Sequence, residues 1–217
     1  MHDSIRLTDT NSESESTERP VALITGGTDG IGRAVASQVA QAGIRVLLVG
    51  RNRDRGFEAA RQLSSEQLGS GNPLVEHQYL SADLPLLSET AALANTVSRP
   101  TGRLDALVCC AGNFSLRPEW TSEGLERSLV LNYLSRFLLA RRFLPALSRA
   151  PSGRLVLVSN AGNYGDSLDI NDLQYRHGRP GFRVSARTQF ANDLLRSSWP
   201  IDIKTPPSRS HACFRES

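Results

Sequence analysis

Gly26, Gly30 and Gly32 interrupt the run Val21–Gly32, VALITGGTDGIG, just after its apolar stretch. Glycines so placed let a chain turn sharply and bring backbone N–H groups close to a ligand, because no side chain stands in the way. Val21–Ile24 reads as a buried strand and Ile31–Ala42 has helical character. A strand, a glycine loop and a helix start, in that order, gather N–H donors and the positive end of a helix at one point. The chemistry such a point performs is binding of a phosphate.

The rest of the chain supplies the elements that would hold this loop in place. Arg45–Val49 reads as a second strand, with Gly43 stopping the helix before it. Asp54–Leu68 is a helix, Val75–Tyr79 a third strand and Leu86–Ser98 a helix ended by Pro100 and Gly102. Asp105–Cys110 is a fourth strand. Thr121 is placed to cap a long helix reaching about Leu144, and Arg154–Ser159 is a fifth strand. Residues 160–181 read as a polar loop and Phe182–Arg196 as a last helix. Strands alternating with helices predict an α/β fold, a doubly wound parallel sheet covered on both faces. Right-handed crossovers give it the order 3-2-1-4-5. Residues 20–197 form the expected domain. Residues 1–19 are expected to be a disordered acidic tail, and 198–217 an irregular one.

Composition bounds the function. At 217 residues the chain suits one domain with a real core. The net charge of +3 hides an acidic start, Asp3, Asp9, Glu13, Glu15 and Glu18 against Arg6, so the remainder is more basic. No dense basic stripe with interleaved aromatics suggests nucleic acid. No apolar run has the length of a membrane span, and the polar N-terminus has no secretory pattern. Cys109 and Cys110 lie in an apparent core strand, where thiols act as small hydrophobes, and Cys213 lies in the tail. Four histidines make no metal-spaced cluster with them, so no metal is expected. A reducing, cytoplasmic setting is the default for such a chain.

In these motifs the chain resembles the short-chain dehydrogenase/reductase family. Thr25–Gly32 matches the family's TGxxxGIG loop, and Ser81–Leu84 (SADL) its acidic position after strand three. Cys109–Gly112 (CCAG) stands where the family has NNAG. Leu131–Phe137 (LNYLSRF) matches the helix bearing an active-site Asn, and Arg154–Gly162 (RLVLVSNAG) the segment bearing a catalytic Ser. The segment Asn163–Gln174 looks like the branch containing retinol dehydrogenases. The resemblance spans about Val21 to Leu195 and implies a Rossmann-like fold that binds a nicotinamide dinucleotide. Its expected contacts are Gly26, Thr28, Gly30, Ile31, Gly32, Arg51, Asp83, Leu84, Ala111, Gly112 and Gln189. Strand two ends LLVGRNR, with Arg51 where members using NAD carry an acidic residue. A guanidinium there suits the 2′-phosphate of NADP, which makes NADP the expected cofactor and NAD the lesser alternative. Arg33 and Arg53 are alternative cations for the same task.

The resemblance implies an NADP-dependent oxidoreductase acting on the carbonyl or alcohol carbon of a small metabolite. Family members use a Tyr as proton donor, a Lys four residues later, a Ser that polarises the carbonyl and the Asn. The match of Phe182–Asn192 puts Ser185 at the Tyr and Gln189 at the Lys, and Lys204 is the chain's sole lysine. Asn132 matches the Asn. An ungapped match puts Asn160 at the serine position, and a slip of one residue restores Ser159. The expected catalytic set is therefore Asn132, Ser159 and Ser185. Tyr175–Arg179 (YRHGR) offers a separate tyrosine and cation in a loop. In the family two more strands and a lid follow the last helix. Here ANDLLRSSW runs into a Pro/Ser-rich tail, with Ile201–Lys204 as a strand remnant, so these parts are expected to be missing or altered. The substitutions leave open a non-catalytic relative that binds NADP or a partner protein, and a truncated product that does not fold stably alone. Pairing into a homo-oligomer through the helices after strands four and five is also implied.

Overall fold

In a computed structural model that describes residues 19–69, 75–159, 169–177 and 181–198, strand β1 (Val21–Thr25) lies at the centre of a five-stranded sheet. Helix α1 (Gly30–Gln41) leads to β2 (Arg45–Gly50), and α2 (Arg53–Gly69) to β3 (Gln78–Ser81). Helix α3 (Leu87–Thr101) leads to β4 (Ala106–Cys109). A short helix α4 (Arg127–Leu129), a π-helical segment (Val130–Leu134) and α5 (Ser135–Arg149) then run on without a break to β5 (Arg154–Leu157). Helix α6 is Gly181–Ser198. The strands are parallel in the order β3-β2-β1-β4-β5.

Alternation along the strands builds two core layers, because successive side chains point to opposite faces. Leu23, Leu47 and Val49 pack beneath Leu93 and Val97 of α3 and Leu139, Phe143 and Leu147 of α5. Ile24, Val46 and Leu48 pack on the other face against Ala36 and Ala40 of α1 and Ala59, Ala60 and Leu63 of α2. Burial on both faces is why β1 and β2 read as unbroken apolar runs.

Helix α3 runs through Pro100 to Thr101 where the expected end is Ser98, and three further elements differ from the sequence reading, each for a local reason. The third strand starts at Gln78, not Val75. The His77 ring accepts the Val46 N–H at its Nδ1 (3.1 Å) and so stands in for a ladder carbonyl, while the Val75 N–H goes to Gln67 Oε1 (3.2 Å). The helix expected from Thr121 starts at Arg127 and continues to Arg149. Thr121 instead closes a tight turn, with its N–H on Leu125 O (2.9 Å) and Gly124 at φ 73°. Glu126 is the cap, its Oε2 accepting the Leu129 N–H at 2.6 Å. The fifth strand stops at Leu157 rather than Ser159, because the Val158 carbonyl is taken by the Arg136 guanidinium at 3.0 Å. The tails at residues 1–18 and 199–217, with the expected strand remnant Ile201–Lys204, lie outside the described residues.

His77 makes one feature of the stability depend on pH. Burial, aided by the positive charge of Arg45, holds its pKa below the usual 6.5. Protonation would also place a hydrogen on the Nδ1 that accepts from Val46. The unfolded chain binds this proton more readily than the folded one, so stability rises with pH through the window below 6.5. Stability is expected to be level in His77 above about pH 6.5 and to fall as pH drops beneath it. Urea melts of the wild type and His77→Gln between pH 5 and 8 check this, the variant having the shallower acid limb.

Candidate active site

The glycine corner is built by close backbone approach. The Gly26 N–H donates to Val49 O (2.8 Å), and Thr25 Oγ1 accepts the Ala111 N–H (3.2 Å), which ties the exits of β1, β2 and β4 together. Gly26 has φ 67°, and a Cβ there would lie 2.9 Å from the Ala111 backbone. A Cβ on Gly32 would lie 2.2 Å from Gly26 O, so α1 starts directly against the loop. Asp29 caps α1, its Oδ1 accepting the Gly30 N–H at 2.7 Å.

A cleft of about 340 Å³ opens at the carboxyl ends of the strands, where the sheet order reverses between β1 and β4. Open α/β sheets bind ligands at such a switch point. The glycine loop contributes Gly26, Thr28 and Asp29, and the end of β2 contributes Gly50 and Arg51. Ala82, Asp83, Leu84 and Pro85 follow β3, and Ala111, Gly112 and Asn113 follow β4. Arg127 and Leu131 complete the lining.

Seven of the expected cofactor contacts, Gly26, Thr28, Arg51, Asp83, Leu84, Ala111 and Gly112, are thus brought together. Gly30, Ile31 and Gly32 stand outside the lining, at the start of α1; the Ile31 side chain is exposed and Gly32 serves packing. The alternative cation Arg33 is engaged elsewhere, with Glu66 of α2 at 2.6 Å. Ser159 is exposed just past β5 and is not part of the cleft lining. Asn160 and Arg179 lie outside the described residues, as do the side chains of Ser185 and Gln189 on α6.

Asn132 is fully buried in the π-helical segment and acts as a brace. Its Oδ1 accepts the Asn113 N–H (2.9 Å), and its Nδ2 donates to Asn113 O (2.9 Å) and Thr188 Oγ1 (3.2 Å). Its carbonyl accepts Asn192 Nδ2 at 2.9 Å. One residue thereby links the loop after β4 to helix α6. Beside it, the buried Arg136 donates to Ala111 O (2.8 Å) and Val158 O (3.0 Å), joining the exits of β4 and β5. Burial pushes the Cys109 thiol up to about 12 and raises that of Cys110, so both behave as packing groups, not nucleophiles. Tyr175 is buried at φ 52°, its hydroxyl accepting from Arg187 Nη1 at 2.9 Å. A cation reaches it from α6, and among the described residues it is not part of the cleft lining.

Sequence reading missed Asp29, Val49, Gly50, Ala82, Pro85, Asn113, Arg127 and Leu131 as lining residues. Asp29 and Gly50 adjoin motifs that were legible. Arg127 has no local signal, since only the turn at Thr121–Leu125 brings it to the cleft.

A family model described as short chain dehydrogenase matches residues 20–168. Polyprenol dehydrogenase from Mus musculus is 33% identical over 179 residues, which are 81% of this chain and 52% of that protein. Retinol dehydrogenase 14 from Mus musculus is 34% identical over 179 residues, 80% of this chain and 53% of that protein. A solved short chain dehydrogenase from Shigella flexneri, complexed with NADP, has a TM-score of 0.61 at 25% identity, covering 81% of this chain and 68% of that one. The chain belongs to the short-chain dehydrogenase family of oxidoreductases, whose cofactors are nicotinamide dinucleotides. It spans about half the length of the curated relatives it matches. No helix among the described residues is long and apolar enough to cross a membrane.

Proposed function

We propose that the cleft holds NADP(H), and that the chain is an oxidoreductase for the carbonyl or alcohol carbon of a small metabolite. The observation that carries the cofactor choice is the corner at Gly50–Arg51, where β2 ends in a guanidinium and no carboxylate. The residues present fit a phosphorylated dinucleotide. The glycine corner leaves backbone open to a pyrophosphate, and Arg51 suits a 2′-phosphate by bidentate pairing. Asn113 Oδ1, in the cleft wall, is a buried acceptor without a hydrogen-bond partner among the described residues, which suits a ribose hydroxyl. When bound, the dinucleotide would give a hydride to a carbonyl carbon or take one from an alcohol carbon. Asn132 is a positioning residue that fixes the loop carrying Gly112 and Asn113 against α6.

A second reading, binding without turnover, is favoured by Ser185 and Gln189 at the tyrosine and lysine positions. An aliphatic hydroxyl is a much weaker acid than a phenol, and glutamine brings no charge to assist it. NADPH at a hundred times its Kd should add about 2.7 kcal/mol and raise Tm by several degrees. No shift in a cooperatively melting sample overturns the cofactor reading. NADPH oxidation with a panel of aldehydes and ketones separates the two readings. Turnover that appears only in Ser185→Tyr/Gln189→Lys supports the second.

Gly50→Asp tests the corner itself. Its Cβ would stand 3.2 Å from Thr28 Cγ2, so Thr28 must give by a few tenths of an ångström, and the change puts a carboxylate at the cleft-lining position next to Arg51 in the chain. Repulsion of the 2′-phosphate should weaken NADPH binding at least about tenfold while NADH binding is kept or improved, as read by fluorescence titration.

A further inference from the structure

Tyr79 of β3 is buried and is not part of the cleft lining. Its ring packs in the layer formed with α1 and α2, edge-on to Phe57 at 5.3 Å. Gly56 of α2 makes room for it, because a Cβ there would fall on the ring atoms Cδ2, Cε2 and Cζ. From that slot the phenol donates to Gly50 O at 2.8 Å. The same carbonyl accepts the Ala82 N–H at 3.0 Å, a bond that continues the ladder between β2 and β3. The sheet needs only the second of these bonds. Two donors on one carbonyl fix the plane of the peptide that joins Gly50 to Arg51. Just beyond, Asn52 Oδ1 accepts the Arg55 N–H at 3.0 Å and starts α2. Arg51 is therefore held through its backbone on both sides. Its side chain is exposed and makes no ion pair or side-chain hydrogen bond among the described residues. What the fold fixes of this guanidinium is the direction in which it leaves the chain.

We propose that Tyr79 is a positioning residue for cofactor choice: its hydroxyl holds the Gly50–Arg51 peptide so that Arg51 meets the 2′-phosphate of NADP(H) from a preset direction. The proposal rests on the NADP(H) reading of the cleft. A side chain that leaves a fixed backbone has less freedom to lose when it pairs, and affinity gains by that difference. The gain falls on the 2′-phosphate, the group Arg51 reads. A dinucleotide without that phosphate gains nothing from it.

The test is Tyr79→Phe in the full chain, with NADPH and NADH titrated by fluorescence and each sample melted. Phenylalanine keeps the ring beside Gly56, and Gly50 O keeps the Ala82 N–H, so no buried acceptor loses its last donor. NADPH binding is expected to weaken about three- to tenfold, the size of one neutral hydrogen bond. NADH binding is expected to stay within about twofold, the scatter between independent sites. In an Arg51→Ala background the same change should leave NADPH binding within about twofold, because the group it positions is gone. Unchanged NADPH binding in Tyr79→Phe overturns the proposal. Equal weakening of NADPH and NADH does so too, since it would report a general disturbance of the corner. A full effect that persists without Arg51 overturns it as well, and so does loss of the cooperative melt, which would make the hydroxyl a support of the fold and not of one arginine. If the folded wild type binds neither dinucleotide, or Arg51→Ala alone leaves NADPH binding unchanged, the reading of the cleft fails first and carries this one with it.

Discussion

Gly32→Ala is expected to destabilise the chain by about 3 kcal/mol, the upper end for overpacking, and to weaken NADPH binding more than tenfold. The added Cβ would stand 2.2 Å from Gly26 O and 2.7 Å from its carbonyl carbon. These are backbone atoms, and they have no rotamer to escape into. Either α1 must move off the sheet, which opens the layer formed by Ala36, Ala40 and Leu48, or the loop must move. A displaced loop carries Gly26 and Thr28 with it, and both line the cleft. Gly30→Ala is the control. Its Cβ would meet nothing within 4 Å, but φ is +51°, so only backbone strain of about 1–2 kcal/mol applies. Urea denaturation and NADPH titration of the two variants separate packing from dihedral strain. A Gly32→Ala protein as stable as Gly30→Ala would show that the loop and helix are not in contact as described.

Arg136→Met is expected to cost a further large amount, about 3 kcal/mol, at a residue outside the cleft lining. Its guanidinium is buried and spans two strand exits, through Ala111 O and Val158 O. Hydrogen bonds from a charged donor contribute about 1.5–3 kcal/mol each, and methionine leaves both carbonyls in place with no donor. Part of that loss is offset, because burial disfavours the charged guanidinium and lowers its pKa. Arg136→Lys should restore less than half, since an ammonium cannot reach both carbonyls in one plane. Chemical denaturation gives the energies. The same variants should lose NADPH affinity, because Ala111 lies in the cleft lining. A neutral result in both assays would mean that another group holds the β4 and β5 exits.

How much of this was readable in advance depends on whether a feature is local. β1 and β2 announce themselves, because strands buried on both faces must be apolar throughout. β3 does not: its four residues, QYLS, carry little apolar signal, and the more apolar Val75 lies before the ladder begins. The misplaced start of the long helix has a similar cause. Thr121 has the chemistry of a cap, but Gly124 turns the chain back, and Glu126 is in position to receive the Leu129 N–H. Glutamate is not among the favoured N-cap residues, so the sequence points to Thr121 and the turn overrides it.

The candidate site divides along the same line. The sequence by itself determined the glycine corner, the guanidinium after β2 and the acidic residue after β3, because each follows a strand and needs only its own segment to reach the edge of the sheet. That Ser185 and Gln189 stand at the tyrosine and lysine positions is what the resemblance of Phe182–Asn192 to the family implies. Only the tertiary structure decided that Arg33 is spent on Glu66, that Asn132 braces the loop after β4 against α6, and that Arg127 enters the cleft. Those outcomes depend on partners 33, 56 and 44 residues away in the chain, as with Glu66, Thr188 and Asp83. A side chain's partner at such a separation is set by how helices pack on the sheet, and no local pattern encodes it.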